Sequence, residues 1–226
     1  MSYTRGMQQH QIRLVDDHFQ IDGFPDAAKL IAVSPLVKHL PEQLADMVLH
    51  HADLRFAKEC LEAVFSPGAN PLVAEGLWRS AIVHYCKCFG EHGVRRARLP
   101  YSKFLPAGLP RDVHRYFMEL RNKHLMHDVN AWTQASPMAV VGLANGEGMI
   151  KDVICVKITG DTRNSENIHN LESLIGAALP WVESKVDDLC AQIRSQLEAQ
   201  DYDTLLAQPE PKPYAPPRAE DVSNPR

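Results

Sequence analysis

One run of apolar residues constrains this chain more than any other feature. Ile168, Leu171, Ile175, Ala178, Val182, Val186, Leu189, Ile193 and Leu197 recur at intervals of three and four, the spacing of one helix face held for eight turns. Such a helix is about 50 Å long, and its stripe is too long to bury except against other helices. A helical bundle follows. Pro180 falls inside the run, yet the stripe keeps its register across it, which predicts one long kinked helix rather than two. With 226 residues, a single globule would bury about 70% of its unfolded surface, so a sizeable core is within reach.

Three further helices have readable boundaries. Over residues 41–65 the positions Ala45, Leu49, Ala52, Phe56, Cys60 and Ala63 share a face, and Pro67-Gly68 ends the run. Asn70 followed by Pro71 is an N-cap with proline at the first helical position, and Val73, Leu77, Ala81, His84 and Cys88 then form a stripe ending at Gly90. Pro110 opens a third helix with Val113, Phe117, Leu120 and His124 on one face, running to about Asn130. Segments 138–143 and 150–158 are β-rich and flank Asn145-Gly146-Glu147-Gly148, a hairpin signal in which the two glycines supply positive φ. A lone two-stranded hairpin is marginal, so this one is expected to lie on the helices. The predicted fold is mainly α: a helical bundle over 40–207 with a hairpin insertion at 136–158. Before it comes an N-terminal arm, 1–39, with a short helix entered at Asp22-Gly23-Phe24-Pro25 and ended by Pro35; after it comes a disordered tail, 208–226, holding six prolines.

Hydrophobic residues at 45% and charged ones at 23% exclude disorder over most of the chain and collagen-like repeats. No apolar run approaches the ~18 residues that span a bilayer. Residues 1–17 lack the apolar core of a secretory signal, so a cytoplasmic protein with no membrane partner is expected. Five scattered cysteines read as reduced thiols. Net charge is −4, but residues 93–124 hold Arg95, Arg96, Arg98, Lys103, Arg111, Arg115, Arg121 and Lys123 against Asp112 and Glu119, a segment of +6 in a remainder of −10.

The basic segment ends on the third helix, in Leu120-Arg121-Asn122-Lys123-His124-Leu125-Met126-His127-Asp128. On 3.6 residues per turn, Arg121 and His127 lie about 60° to either side of His124 and flank one groove. Guanidinium forks grip phosphoryl oxygens while imidazole moves a proton near neutral pH, a pairing suited to phosphate chemistry.

Arg121-Asn122 followed by His127 resembles the Arg-x(4–6)-His signature, with a polar residue after the arginine, of the higher eukaryotes and prokaryotes nucleotide-binding (HEPN) superfamily. The wording Leu-Arg-Asn-Lys-His-x-x-His is similar to that of bacterial HEPN-like proteins of abortive-infection type. The resemblance implies a helical bundle that dimerises about this helix, and a metal-independent, cofactor-free endoribonuclease leaving 2′,3′-cyclic phosphate ends, acting as a toxin or phage-defence effector. It implies Arg121 and His127 as the catalytic pair, with Asn122, His124 and Asp128 in support. RNA would be drawn in by Arg95, Arg96, Arg98, Lys103 and Lys123, and an antitoxin or regulatory partner has a place in such a system. Val129 stands where toxins silenced by nucleotidylation carry a tyrosine two residues after the histidine.

Other readings stand beside this one. A non-catalytic HEPN-like module would bind nucleotides or a partner protein through the same groove. The Arg/His cluster also reads as an inter-helix network in which His124 is a core histidine and Asp128 its i+4 partner. His127-Asp128, with His84 upstream, is similar to the pair in HD-type metal phosphohydrolases, and Cys86 and Cys88 sit too far apart around a helix to share a metal. His50 and His51 fall off the chosen helix face and read as surface residues; Trp78, Trp132 and Trp181 read as core or interface anchors.

Overall fold

The stripe at 165–200 folds as expected, into one helix of 34 residues with Pro180 inside it. The computed structural model describes residues 2–5, 8–15, 18–21, 30–34, 36–65, 68, 70–90, 97–125, 133–144 and 147–211. In chain order the elements are β1 (Ser2–Arg5), β2 (Gln8–Val15), β3 (His18–Ile21), α1 (Leu40–Val64), α2 (Pro71–Lys87), α3 (Leu109–Leu120), β4 (Thr133–Ala144), β5 (Glu147–Thr159), α4 (Ser165–Glu198) and α5 (Tyr202–Leu206). The chain is mainly helical. No helix among the described residues is long and apolar enough to cross a membrane.

Two compact units can be drawn. The first comprises Met1–Arg55, Lys87–Phe104 and Gly176–Arg226, the second Phe56–Cys86 and Leu105–Ile175. On α4 all but the last member of the predicted stripe is buried, from Ile168 through Ile193. The helix begins where Asn164 caps it, its side-chain oxygen accepting from the Asn167 N–H at 2.8 Å.

The buried faces of α1 and α2 differ from the predicted ones. On α1 the core takes Met47, His50, Leu54, Ala57, Cys60, Leu61 and Val64; of the predicted face Cys60 is buried, while Leu49 and Phe56 are 39% and 45% exposed. His50 and Asp53 explain the difference. Counted as polar they mask the true stripe, yet each is buried with a partner in the first unit: His50 Nε2 donates to the Ala97 carbonyl at 2.6 Å, and Asp53 accepts from Lys87 Nζ at 3.2 Å. His50 is thus a core residue and not a surface one, because its ring ties α1 to the Ala97 strand of chain. His51 is also mostly covered, 3.4 Å from Glu183. Burial pushes its pKa down, against the opposing pull of that carboxylate. On α2 the buried face is turned by about one residue, to Ala74, Trp78, Ala81, Ile82 and Tyr85, because the large Trp78 commands the core. The N-cap is as expected, Asn70 Oδ1 accepting from the Leu72 N–H at 2.8 Å.

In the second unit, Trp78 is fully buried and meets Phe117 edge-on at 6.1 Å. Its indole N–H donates to the hydroxyl of buried Thr162 at 3.0 Å. Asn167 Nδ2 donates to the Thr162 carbonyl at 2.9 Å and to Tyr116 Oη at 3.0 Å, so α2, α3 and the head of α4 converge on the short segment after β5. Gly108 precedes α3 with φ at 88° and ψ at −141°, a backbone conformation closed to residues with a Cβ. Pro110 stands in the first turn as predicted.

Two β features depart from expectation. Residues 2–21, which show no clear period, form an antiparallel meander in the order β1-β2-β3; Ile12, Leu14 and their neighbours alternate over too few positions to announce a strand. Among the described residues of 30–39 there is no helix, and the predicted start of the arm's helix at 22–29, Pro35 and the tail at 212–226 lie outside the described residues. The hairpin is present and longer than predicted, with β4 and β5 paired from Thr133↔Thr159 to Ala144↔Glu147. Asn145 and Gly146 lie outside the described residues, and Gly148 pairs within the ladder without a positive φ. The hairpin does not bury its apolar side chains on the helices: Val141, Leu143 and Val153 are 66%, 76% and 67% exposed.

The Trp78–Thr162 bond gives a direct test of this core. Thr162→Val keeps the shape but strands a buried indole N–H, and should cost about 1–3 kcal/mol in urea denaturation, whereas Thr162→Ser should restore most of the loss. Equal stability of the valine variant would show that the indole is satisfied elsewhere.

Candidate functional site

Beyond Leu120 the chain does not continue as α-helix. Residues Arg121–Leu125 form a π-helical turn, whose i→i+5 bonding packs more residues into each turn and swings Arg121 farther from His124 than the 60° of an α-helix. Single π turns are frequent at functional sites. His127 and Asp128, with Asn130 where the third helix was expected to end, lie outside the described residues, as do Arg95, Arg96 and Trp132.

Arg121 is half-buried, its Nη1 donating to Asn122 Oδ1 at 2.7 Å. Its Nε is buried and meets no hydrogen-bond acceptor among the described residues. The neighbouring asparagine therefore engages one nitrogen of the guanidinium fork. His124 was expected in the middle of the buried stripe. It is only half-buried and lines a cleft of about 340 Å³ with Glu75, Arg79, Thr159, Gly160, Asp161 and Thr162. The π turn is the reason: it takes residues 121–125 off the face on which His114, Phe117 and Leu120 are buried.

The cleft is charged on both sides. Glu75 accepts from Arg79 Nε at 2.6 Å, one turn along α2, and its other oxygen lies 4.0 Å from Arg163 Nε. Asp161 Oδ1 accepts from the Arg163 N–H at 2.8 Å, turning the chain into α4. An imidazole, two carboxylates and a guanidinium thus line one opening. Glu75, Arg79, Asp161 and Thr162 were not singled out by the sequence; only the i,i+4 spacing of Glu75 and Arg79 is visible there, and that spacing is common on exposed helices.

The basic segment is divided. Lys123 pairs with Glu119 at 3.2 Å, Arg115 with Asp112 at 3.1 Å, and Arg111 Nε donates to the Leu105 carbonyl at 3.1 Å. Arg98 and Lys103 are exposed and belong to the first unit, whereas Arg121–Leu125 belongs to the second. Among the described residues, no three of His, Cys, Asp and Glu gather as a metal ion would require. The five cysteines are unbridged; Cys86 Sγ contacts the Phe117 carbonyl and Cys88 Sγ the His50 carbonyl.

The one histidine on α3 was missed. His114 is 5% exposed, with Nδ1 hydrogen-bonded to Tyr85 Oη at 2.8 Å. Burial, helped by the charge of Arg115, pushes its pKa down to about 4. It is held neutral and serves the core. Searches against protein-family models, curated proteins and solved structures find no match to this chain.

His114 makes acid stability testable. Its folded pKa lies below the unfolded value, so the unfolded state takes up the proton first as pH falls. The stability His114 confers by staying neutral is present above pH 6.5 and is lost between 6.5 and about 4. Tm measured across that range should fall more steeply for the wild type than for His114→Gln; equal slopes would sink this assignment.

Proposed function

We propose that this chain is a metal-independent endoribonuclease of the HEPN type, cytoplasmic and acting as a homodimer. The observation that carries the reading is the π turn that begins at Arg121: it leaves Arg121 Nε unengaged among the described residues and turns His124 into a cleft beside Arg79 and Glu75. Its support is chemical as well as geometric, since a guanidinium oriented by Asn122 is suited to hold a phosphodiester oxygen.

In this mechanism His127 takes the proton from a ribose 2′-OH as the 2′-oxygen attacks phosphorus. Arg121 stabilises the charge on the pentacoordinate phosphorane. The bond to the 5′-oxygen breaks, that oxygen takes up a proton, and a 2′,3′-cyclic phosphate and a 5′-hydroxyl remain. Arg95, Arg96, Arg98 and Lys103 supply sequence-independent attraction for RNA; Lys123, paired with Glu119, contributes less. An antitoxin or regulatory partner and a defence role belong to the same reading.

The cleft volume favours one second reading, a non-catalytic module that binds a mononucleotide, since about 340 Å³ is within the range of small-ligand sites.

Cleavage of bulk RNA in EDTA decides between them. The wild type should leave 2′,3′-cyclic ends, and Arg121→Ala or His127→Ala should each lower the rate by about 100-fold or more with Tm moved by only a few degrees. Wild-type inactivity, or an undiminished Arg121→Ala, overturns the nuclease; inactivity with saturable nucleotide binding supports the module. Neutralising Arg95, Arg96, Arg98 and Lys103 together should flatten the log–log salt dependence of RNA binding by roughly 2–3 units. An unchanged slope would place the phosphate contacts elsewhere.

A further inference from the structure

The hairpin is the least satisfied part of the described chain. β4 and β5 form a ribbon about 40 Å long that is apolar on both faces. Pairing of Val140 with Asp152 and of Val141 with Ile150 leaves Lys151 as an extra residue, a bulge that resets which β5 residues share a face with those of β4. One face then carries Met138, Val140, Met149, Ile154 and Ile158, each 38–56% exposed. The other carries Val141, Leu143, Ile150 and Val153, each 59–76% exposed. A Cβ on Gly142 would collide with the Lys151 side chain, so that lysine lies along the first face, which is the better covered of the two.

A two-stranded ribbon with this composition is marginal in water. The four side chains of the second face alone leave roughly 450 Å² open, the size of the largest patch a typical monomer exposes and more than half of what one partner contributes to a standard-size interface. Extension of the sheet edge to edge is poorly served. Pro137 removes a donor from β4, and the Lys151 bulge interrupts β5. Charge also narrows the occupant. Glu147 and Asp152 balance Lys151 and Lys157, so the ribbon offers no net attraction to a nucleic acid or an anionic membrane. A neutral apolar ribbon suits a neutral apolar surface, and a two-fold axis presents the same patch from both sides.

We infer that the ribbon of residues 133–159 is the dimerisation arm of this protein, packing face to face against a second copy of the chain with Val141, Leu143, Ile150 and Val153 at the centre of the contact. The inference goes beyond the ribonuclease reading: it puts the dimer contact on the ribbon and not on the helix of Arg121, and it holds whether or not the chain cleaves RNA. It also reaches the candidate site. Thr159, the last residue of β5, and the three residues after it line the cleft that holds His124, so docking of the ribbon fixes one wall of that cleft.

Light scattering and sedimentation velocity of the full chain at micromolar concentration test it. The wild type should be a dimer of 25.4 kDa chains, and hydrogen exchange in residues 133–159 should slow as concentration rises. Val141→Lys with Val153→Lys should give a monomer with unchanged helical circular dichroism, since both side chains are already exposed within one chain. Leu143→Lys with Ile150→Lys, on the same face, guards against a local folding defect and should do the same. A monomeric wild type, or dimers that survive both double variants, overturns the inference. So does a monomer whose ribbon instead inserts into neutral phosphatidylcholine vesicles, or is protected only by a different protein. Arg121→Ala should remain dimeric, so failure of the arm and failure of the nuclease are read separately.

Discussion

The hydrogen bond from Trp78 to Thr162 is the interaction on which the second unit depends. A fully buried indole must find an acceptor for its N–H or bear the cost of desolvating it, about 1–3 kcal/mol. The acceptor here is not on a neighbouring helix but on the short segment between β5 and α4, which is thereby held against α2. Asn167 completes the arrangement, binding the Thr162 carbonyl and the Tyr116 hydroxyl from the head of α4. One satisfied donor thus decides where residues 159–162 stand and where α4 begins. The cleft beside His124 is a consequence of that placement.

The same economy governs the polar groups in both cores. His50 and Asp53 in the first unit, His114 and Thr162 in the second, are buried, and each has a specific partner: a carbonyl, an ammonium, a phenol and an indole. None of these pairs is local in sequence. The Glu75–Arg79, Asp112–Arg115 and Glu119–Lys123 pairs are local and exposed, and contribute little to stability. Polar burial in this protein marks packing, and the exposed ion pairs mark solvated helix faces. Arg121 belongs to neither group: its Nε is buried without an acceptor among the described residues, which is why it and not the buried histidines bears the functional reading.

Much of the fold was legible in the sequence because helix boundaries are written in local chemistry. Asn70-Pro71, Pro110 and the uninterrupted stripe from Ile168 to Ile193 each specified an element from its own residues. The inward faces of α1 and α2 were not legible. A stripe of small and sulfur-bearing residues on α1 competes with one that contains His50 and Asp53, and only distant partners make the second preferable. The hairpin's existence was written in its β-rich flanks, but not its exposure, since burial against helices or against another molecule would require the same residues. At the site, Arg121, Asn122 and His124 were found by their spacing, whereas Glu75, Arg79 and Asp161 come from other elements and have no common pattern.

The sequence by itself determined the long α4 helix, because a three-and-four spacing sustained for eight turns has only one regular solution, and it determined the chemistry concentrated after Leu120. Tertiary structure alone decided that His124 opens onto a cleft. The anchoring of residues 159–162 by Trp78 depends on groups brought together from far along the chain. Local propensity records the cost of each residue in a helix or strand; it holds no record of which distant donor will meet which acceptor.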